Sequence, residues 1–271
     1  MNISSLSILT IAMYASASVA QGLSLFNRIK GTKIWMVLLG FVAVALHALL
    51  LHHWIDLVSG QNLTVFNMLS LVVWLVSLLV LLIILFKPVD MLALFIFPLA
   101  IFSILLVVGF PSRFIIKTGG RPSELFHIFL SVITFAVMCV AGFQAILLAI
   151  QERVLRTKLG GTLLHKLPPL ITMEKLLFQM LTTGFVLLSL LLATSLYSFH
   201  TILLSDAVIL QKAVIVLAAW AIIGALLLGR YLWGWRGRKA IYCTLFGVLL
   251  LLIVYFGINL GPVYNSTVMN G

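Results

Sequence analysis

The stretch VFNMLSLVVWLVSLLVLLIILFK, residues 65–87, decides the fold. It carries no charge before Lys87, and a helix crossing a hydrocarbon core needs about 20 predominantly apolar residues. Turn chemistry bounds it on both sides, with Ser59-Gly60-Gln61-Asn62 before it and Lys87-Pro88 after it. In hydrocarbon a run of this length pairs its backbone polar groups within itself, as a helix. It therefore predicts a transmembrane span.

Reading outward, further stretches of the same kind fall at 5–27, 34–56, 91–110, 125–150, 174–197, 212–231 and 239–260. The expectation is an all-α fold, a polytopic membrane bundle of eight transmembrane helices in a single integral membrane domain covering 1–271. The whole composition agrees: of 271 residues 63% are hydrophobic and 8% are Asp, Glu, Lys or Arg, against roughly 25% charged in soluble domains. Thr172, just before Glu174 and the sixth apolar run, reads as a helix N-cap. Ala15-Ser16-Ala17 has the shape of a signal-peptide cleavage site. No positive charge precedes it and apolar sequence continues to Phe26, so an uncleaved first helix is expected.

The formal net charge of +11 marks orientation rather than a nucleic-acid partner. Most of the 17 basic residues sit in loops after the odd-numbered spans: Arg28, Lys30 and Lys33; Lys87; Arg153, Arg156, Lys158, Lys166 and Lys175; and Arg230, Arg236, Arg238 and Lys239. The positive-inside rule then places those loops in the cytoplasm and both termini outside. Arg113, Lys117 and Arg121 run against this bias, as a contact for lipid phosphates or for the carboxylates of a bound cofactor. Cys139 and Cys243 lie in apolar runs and form neither a CxxC nor a CxxCH motif.

Histidine is the residue type that calls for chemistry. His47, His52 and His53 fall within HALLLHHW, residues 47–54. With the second span rising about 1.5 Å per residue from Ile34, His47 lies past the midplane. An ionisable residue at that depth marks a functional site by default, with a hydrogen-bonded core histidine as the competing reading. His52, His53, His127 and His200 all belong to the outer half on this topology, and of the 6 histidines only His165 is cytoplasmic. His53 and Asp56, three apart, can pair locally. Glu124, one turn before His127, is placed either to hold the second ring nitrogen of a metal-binding imidazole or to serve as an ordinary helix-start acid. His127, Ser131 and Thr134 share one helix face, and Asn67, Ser70, Trp74 and Ser77 form a polar stripe that glues helices together in lipid. The aromatic and basic GRYLWGWRGRK, 229–239, fits an interfacial belt. A transporter would want broken helices or paired acids at mid-depth. The 6 acids, Asp56, Asp90, Glu124, Glu152, Glu174 and Asp206, all fall near span ends or in loops. No hydrolytic nucleophile motif stands out.

Four stretches together resemble the CcsA/HemX-type cytochrome c assembly family, closest to its small YpjD-like inner membrane branch. They are SGQNLTVFNMLSLVVWL (59–75), HIFLSVITFAVMCVAGFQAILLAIQER (127–153), LPPLITMEKLLFQ (167–179) and GWRGRKAIYCTLFGVLLLLIVYFG (234–257). The resemblance covers the second to the eighth span, approximately 34–260. It implies a multi-pass protein of the bacterial inner membrane that binds or handles haem b near the outer face, with cytochrome c assembly proteins as partners. By position, His47 matches the family's membrane histidine and His127 the histidine that opens the fifth helix. Gly234 to Arg238 match the inner GWRGR motif. The resemblance makes His127 one axial iron ligand, with His200, His52 or His53 completing the pair. The loop YSFHTILLSDAVILQK, 197–212, lacks the tryptophan-rich motif of cytochrome c synthetases, so synthetase activity is not expected. The alternative is a non-haem membrane scaffold or regulatory partner that keeps the family fold.

Overall fold

A computed structural model describes residues 2–25, 32–57, 60–87, 89–116, 122–157, 169–203 and 207–257. For 25, 32, 116, 122–125, 157 and 198–203 it describes the backbone alone. Eight helices among these residues are long and apolar enough to cross a membrane. They are α1 (Ile3–Leu25), α2 (Thr32–Ile55), α3 (Val65–Phe86), α4 (Met91–Gly109), α5 (Pro122–Thr157), α6 (Leu170–Leu203), α7 (Ala207–Trp233) and α8 (Arg238–Leu252), the last running into a π-helical turn at Ile253–Gly257. The helices group into two compact units, α1–α4 and α5–α8.

In the first unit α1 packs on α2 and α4, and α3 packs on α2 and α4. Gly40 makes the close approach of α2 feasible: a Cβ there would lie 2.9 Å from Leu81 Cδ2 and 3.0 Å from Phe97 Cζ. Small residues at helix contacts serve this purpose in lipid, where no hydrophobic driving force separates one apolar face from another. Thr64 caps α3, its hydroxyl accepting from the Asn67 amide at 3.4 Å.

A small three-stranded sheet at one end of this unit was not expected. Strands β1 (Asp56–Leu57), β2 (Gly60–Asn62) and β3 (Ile115–Ile116) pair antiparallel in that order. The register sets Asp56 opposite Gln61 and Gln61 opposite Ile116. Gly60-Gln61-Asn62, read as turn chemistry, is therefore a strand, entered through Gly60 at φ 135°. Asn62 ties the segment to the end of α4. Its Nδ2 donates to the Ser112 carbonyl at 3.2 Å and its Oδ1 accepts from the Phe114 amide at 2.8 Å.

In the second unit α5 packs on α6 and α8, and α7 packs on α6 and α8. Helices α5 and α6 overrun the predicted spans at both ends. Thr172 is not the N-cap of α6, which starts at Leu170; the Pro169 carbonyl accepts from the Thr172 and Met173 amides at 2.8 and 3.2 Å. Proline just outside a first turn is preorganised for helix entry, which moves the start upstream of the threonine.

Candidate functional site

The described histidine side chains occupy three settings. His47 is fully buried in the first unit. Its Nδ1 lies 3.2 Å from the Tyr14 hydroxyl of α1 and its Nε2 lies 2.8 Å from Ser70 Oγ of α3. The Tyr14 ring meets the imidazole edge-on, with centroids 5.8 Å apart. Near His47, the Trp74 indole donates to the Val44 carbonyl at 2.9 Å. Of the polar stripe on α3, Ser70 and Trp74 do what the spacing predicts, meeting His47 and reaching the Val44 carbonyl of α2, while Asn67 donates to the Asn62 carbonyl of β2 at 2.9 Å and Ser77 bonds back to Val73 of its own helix at 2.8 Å. One imidazole joins three helices. An iron atom at either ring nitrogen would first have to displace a hydroxyl.

His52 and His53 sit at the exposed end of α2. The partner of Asp56 is His52, four residues back, with Nδ1 to Oδ2 at 2.8 Å, in place of the expected His53. The i,i+4 spacing stacks two side chains on one helix face, and the chain leaves the helix at Asp56 to enter β1. The His53 ring lies beside His52, with centroids 6.0 Å apart. A carboxylate on Nδ1 fixes an imidazole and directs Nε2 outward, as in metal-ligating histidines.

In the second unit half-buried His127, near the start of α5, meets α6: Nδ1 lies 3.0 Å from Thr194 Oγ1. That threonine donates its one proton to the Leu191 carbonyl at 2.9 Å. With that carbonyl taking the hydroxyl proton, Thr194 Oγ1 is placed to accept from Nδ1. Ser131 and Thr134 do not extend the site, because each bonds back to its own helix, at Ile128 and Leu130. The side chains of Glu124 and His200, and all of His165, Lys117 and Arg121, lie outside the described residues. Among those described, no group of three or more His, Cys, Asp or Glu side chains is arranged to hold a metal ion. Among the described residues of the first unit, the histidines all come from α2.

A fourth setting escaped the sequence reading. The GWRGR segment between α7 and α8 is a tight turn with Gly234 at φ 66° and Gly237 at φ 58°. It closes through Gly234 N to the Arg230 carbonyl at 3.1 Å and Trp235 N to the Gly229 carbonyl at 3.2 Å. The Trp235 ring packs directly on Gly229. Beyond an interfacial belt, the turn aims arginines at two acids. Arg238 Nε reaches Glu152 at 3.3 Å beside Arg156 at 2.7 Å, while Arg230 and Arg236 flank Glu174 at 3.9 and 4.0 Å. The available signal was the pair of acids at the ends of the fifth and sixth spans, on the basic side of the topology. Gly229→Ala places a methyl where the indole lies and is expected to cost about 1–3 kcal/mol, as overpacking does. Thermal unfolding in detergent checks this, and an unchanged midpoint would show that the turn can shift freely.

Residues 34–263 match the family model described as cytochrome C assembly protein. Over 230 residues the chain is 30% identical to the inner membrane protein YpjD of Escherichia coli K12, covering 84% of this chain and 86% of that protein. It is 32% identical over 147 residues to an uncharacterized 28.8 kDa protein of Azospirillum brasilense, covering 52% of this chain and 53% of that one. No solved structure matches.

Proposed function

The chain belongs to the cytochrome c assembly protein family and is a multi-pass inner-membrane protein, and from that premise we propose that it binds haem b as cargo near the outer membrane face. The observation that supports this reading is the His127–Thr194 contact, which orients a half-buried imidazole near the start of α5. In the first unit, His52, oriented by Asp56, is a separate candidate at a span end that the positive-inside reading also puts outside. His200, in the same unit as His127, is the outer histidine for the pair. Haem iron so held would be delivered to, or received from, other cytochrome c assembly proteins, and no covalent chemistry is asked of this chain. The residues' part is to present neutral imidazoles, with Thr194 and Asp56 setting which nitrogen faces the iron.

A non-haem scaffold is the second reading. It is favoured by His47, whose two ring nitrogens are both occupied by hydroxyls, and by the absence of tryptophan from the sequence 197–212. Absorption spectra of detergent-purified protein, oxidised and reduced, separate the two. The haem reading expects a b-type spectrum that His127→Ala loses. Colourless protein after expression with ample haem supports the scaffold.

A further inference from the structure

Helix α6 turns a polar stripe outward. Lys175, Gln179, Thr182 and Thr183 share one face at helical spacing, and all four are exposed. With Phe178 they line a groove of about 350 Å³. The same face continues into the span as Val186 and Leu190, both exposed. The span is 28 residues long. Centred on a hydrocarbon core about 30 Å thick, it overhangs by about four residues at each end. Lys175 then lies at the boundary and Gln179 one turn, about 6 Å, inside it. These groups differ in what they still lack. Thr182 and Thr183 donate to the Phe178 and Gln179 carbonyls of their own helix at 2.9 and 3.1 Å, so their protons are spent. Lys175 forms no ion pair among the described residues, and Glu174 beside it is committed to Arg230 and Arg236, at 3.9 and 4.0 Å. The Gln179 side chain has no hydrogen-bond partner among the described residues. An amide left unpaired in hydrocarbon is costly.

We infer that this face of α6 binds an acidic phospholipid, with the Lys175 ammonium at its phosphate and the Gln179 amide donating to an ester carbonyl. A glycerophospholipid carries its ester carbonyls just below its phosphate. A cation at the boundary with an amide one turn deeper therefore matches the order of its acceptors, and an acyl chain runs on along Val186 and Leu190. The uncompensated positive charge selects an anionic headgroup, as basic residues at the cytoplasmic surface do. The positive-inside reading puts this end of α6 on that side. A second copy of the chain fits less well. Two chains inserted alike meet at equal depth, so pairing their Gln179 amides would bring their Lys175 ammonium groups together. Free phosphate lacks the ester carbonyl that Gln179 calls for.

The test is thermal unfolding of the full chain in neutral detergent micelles doped with phosphatidylglycerol, its ether-linked analogue or phosphatidylcholine. Ester-linked phosphatidylglycerol is expected to raise the midpoint at the lowest mole fraction. The ether analogue, which lacks the carbonyls, should need about threefold more, the order of one hydrogen bond in lipid. Phosphatidylcholine should need about fivefold more, the order of one cation–headgroup attraction. Lys175→Gln should erase the preference for phosphatidylglycerol over phosphatidylcholine, and Lys175→Arg should keep it. Gln179→Leu should erase the difference between ester and ether lipid. Both side chains are exposed, so these variants keep the fold. Lys87→Gln removes an exposed cation at the end of α3 and should respond like the parent. The inference fails if the two headgroups act alike on the parent, if Lys175→Gln or Gln179→Leu responds as the parent does, or if Lys87→Gln loses as much as Lys175→Gln. It also fails if the parent is a lipid-independent dimer that Gln179→Leu dissociates, which would make this face an interface between copies.

Discussion

Replacing His47 with alanine is expected to destabilise the protein by about 3 kcal/mol, measured by reversible unfolding in mixed micelles. Two terms contribute. The larger is volume: the imidazole is fully buried against Tyr14, and large-to-small changes in packed interiors cost about 2–5 kcal/mol. The smaller is polar. Hydrogen bonds between membrane helices average about 0.6 kcal/mol, because the freed groups find other partners. Ser70 can turn to its own helix, as Ser77 does at the Val73 carbonyl, 2.8 Å away. His47→Leu restores most of the volume and should therefore recover more than half of the loss. Tyr14→Phe should couple to it by about 1 kcal/mol in a double-mutant cycle. A haem ligand behaves otherwise. If His47→Ala leaves haem-free protein as stable as the parent while removing a haem spectrum, then His47 is a ligand and the hydroxyls are displaced when haem binds.

How far the molecule was legible from its residues depends on the distance between partners. The third span was read at 65–86, where α3 runs, because Asn62-side turn chemistry and Lys87-Pro88 cut a continuous apolar run on both sides. The ends of α5 and α6 were less legible. Polar residues such as Glu152, Arg153 and Arg156 end an apolar run without ending a helix. The sheet left no mark, since strands of two or three residues show no alternation. Its anchor, Asn62 to Ser112 and Phe114, joins positions far apart in the chain. The same reasoning explains the site. The Asn67–Ser77 stripe announced helix glue, and His47 announced a buried partner, but nothing local named Tyr14. GWRGR was visible as an interfacial motif, while the carboxylates it serves lie elsewhere in the sequence. His52 and His53 differ by one residue, and only the direction in which the chain leaves α2 decides between them.

That one-residue choice yields the sharpest test of the cofactor proposal. In haem titrations followed by absorbance, Asp56→Asn is expected to weaken binding about 10–100-fold, the usual effect of removing the carboxylate behind a ligating histidine. His52→Ala should weaken it at least as much, and His53→Ala should leave it near the parent value. The fold should hardly register these changes. The His52–Asp56 pair is exposed on both sides, with side-chain exposures of 69% and 50%, and exposed pairs contribute little to stability. Loss of affinity without loss of stability is therefore the signature of an oriented ligand. Asparagine still accepts a hydrogen bond from Nδ1, so the expected drop measures the carboxylate's charge acting through the ring on Nε2. If His52→Ala and Asp56→Asn both bind haem as the parent does, the pair is a helix-end contact and the outer ligand must come from elsewhere. If His53→Ala alone loses haem, the ring beside the oriented one is the ligand, and the carboxylate contributes only by holding its neighbour in place.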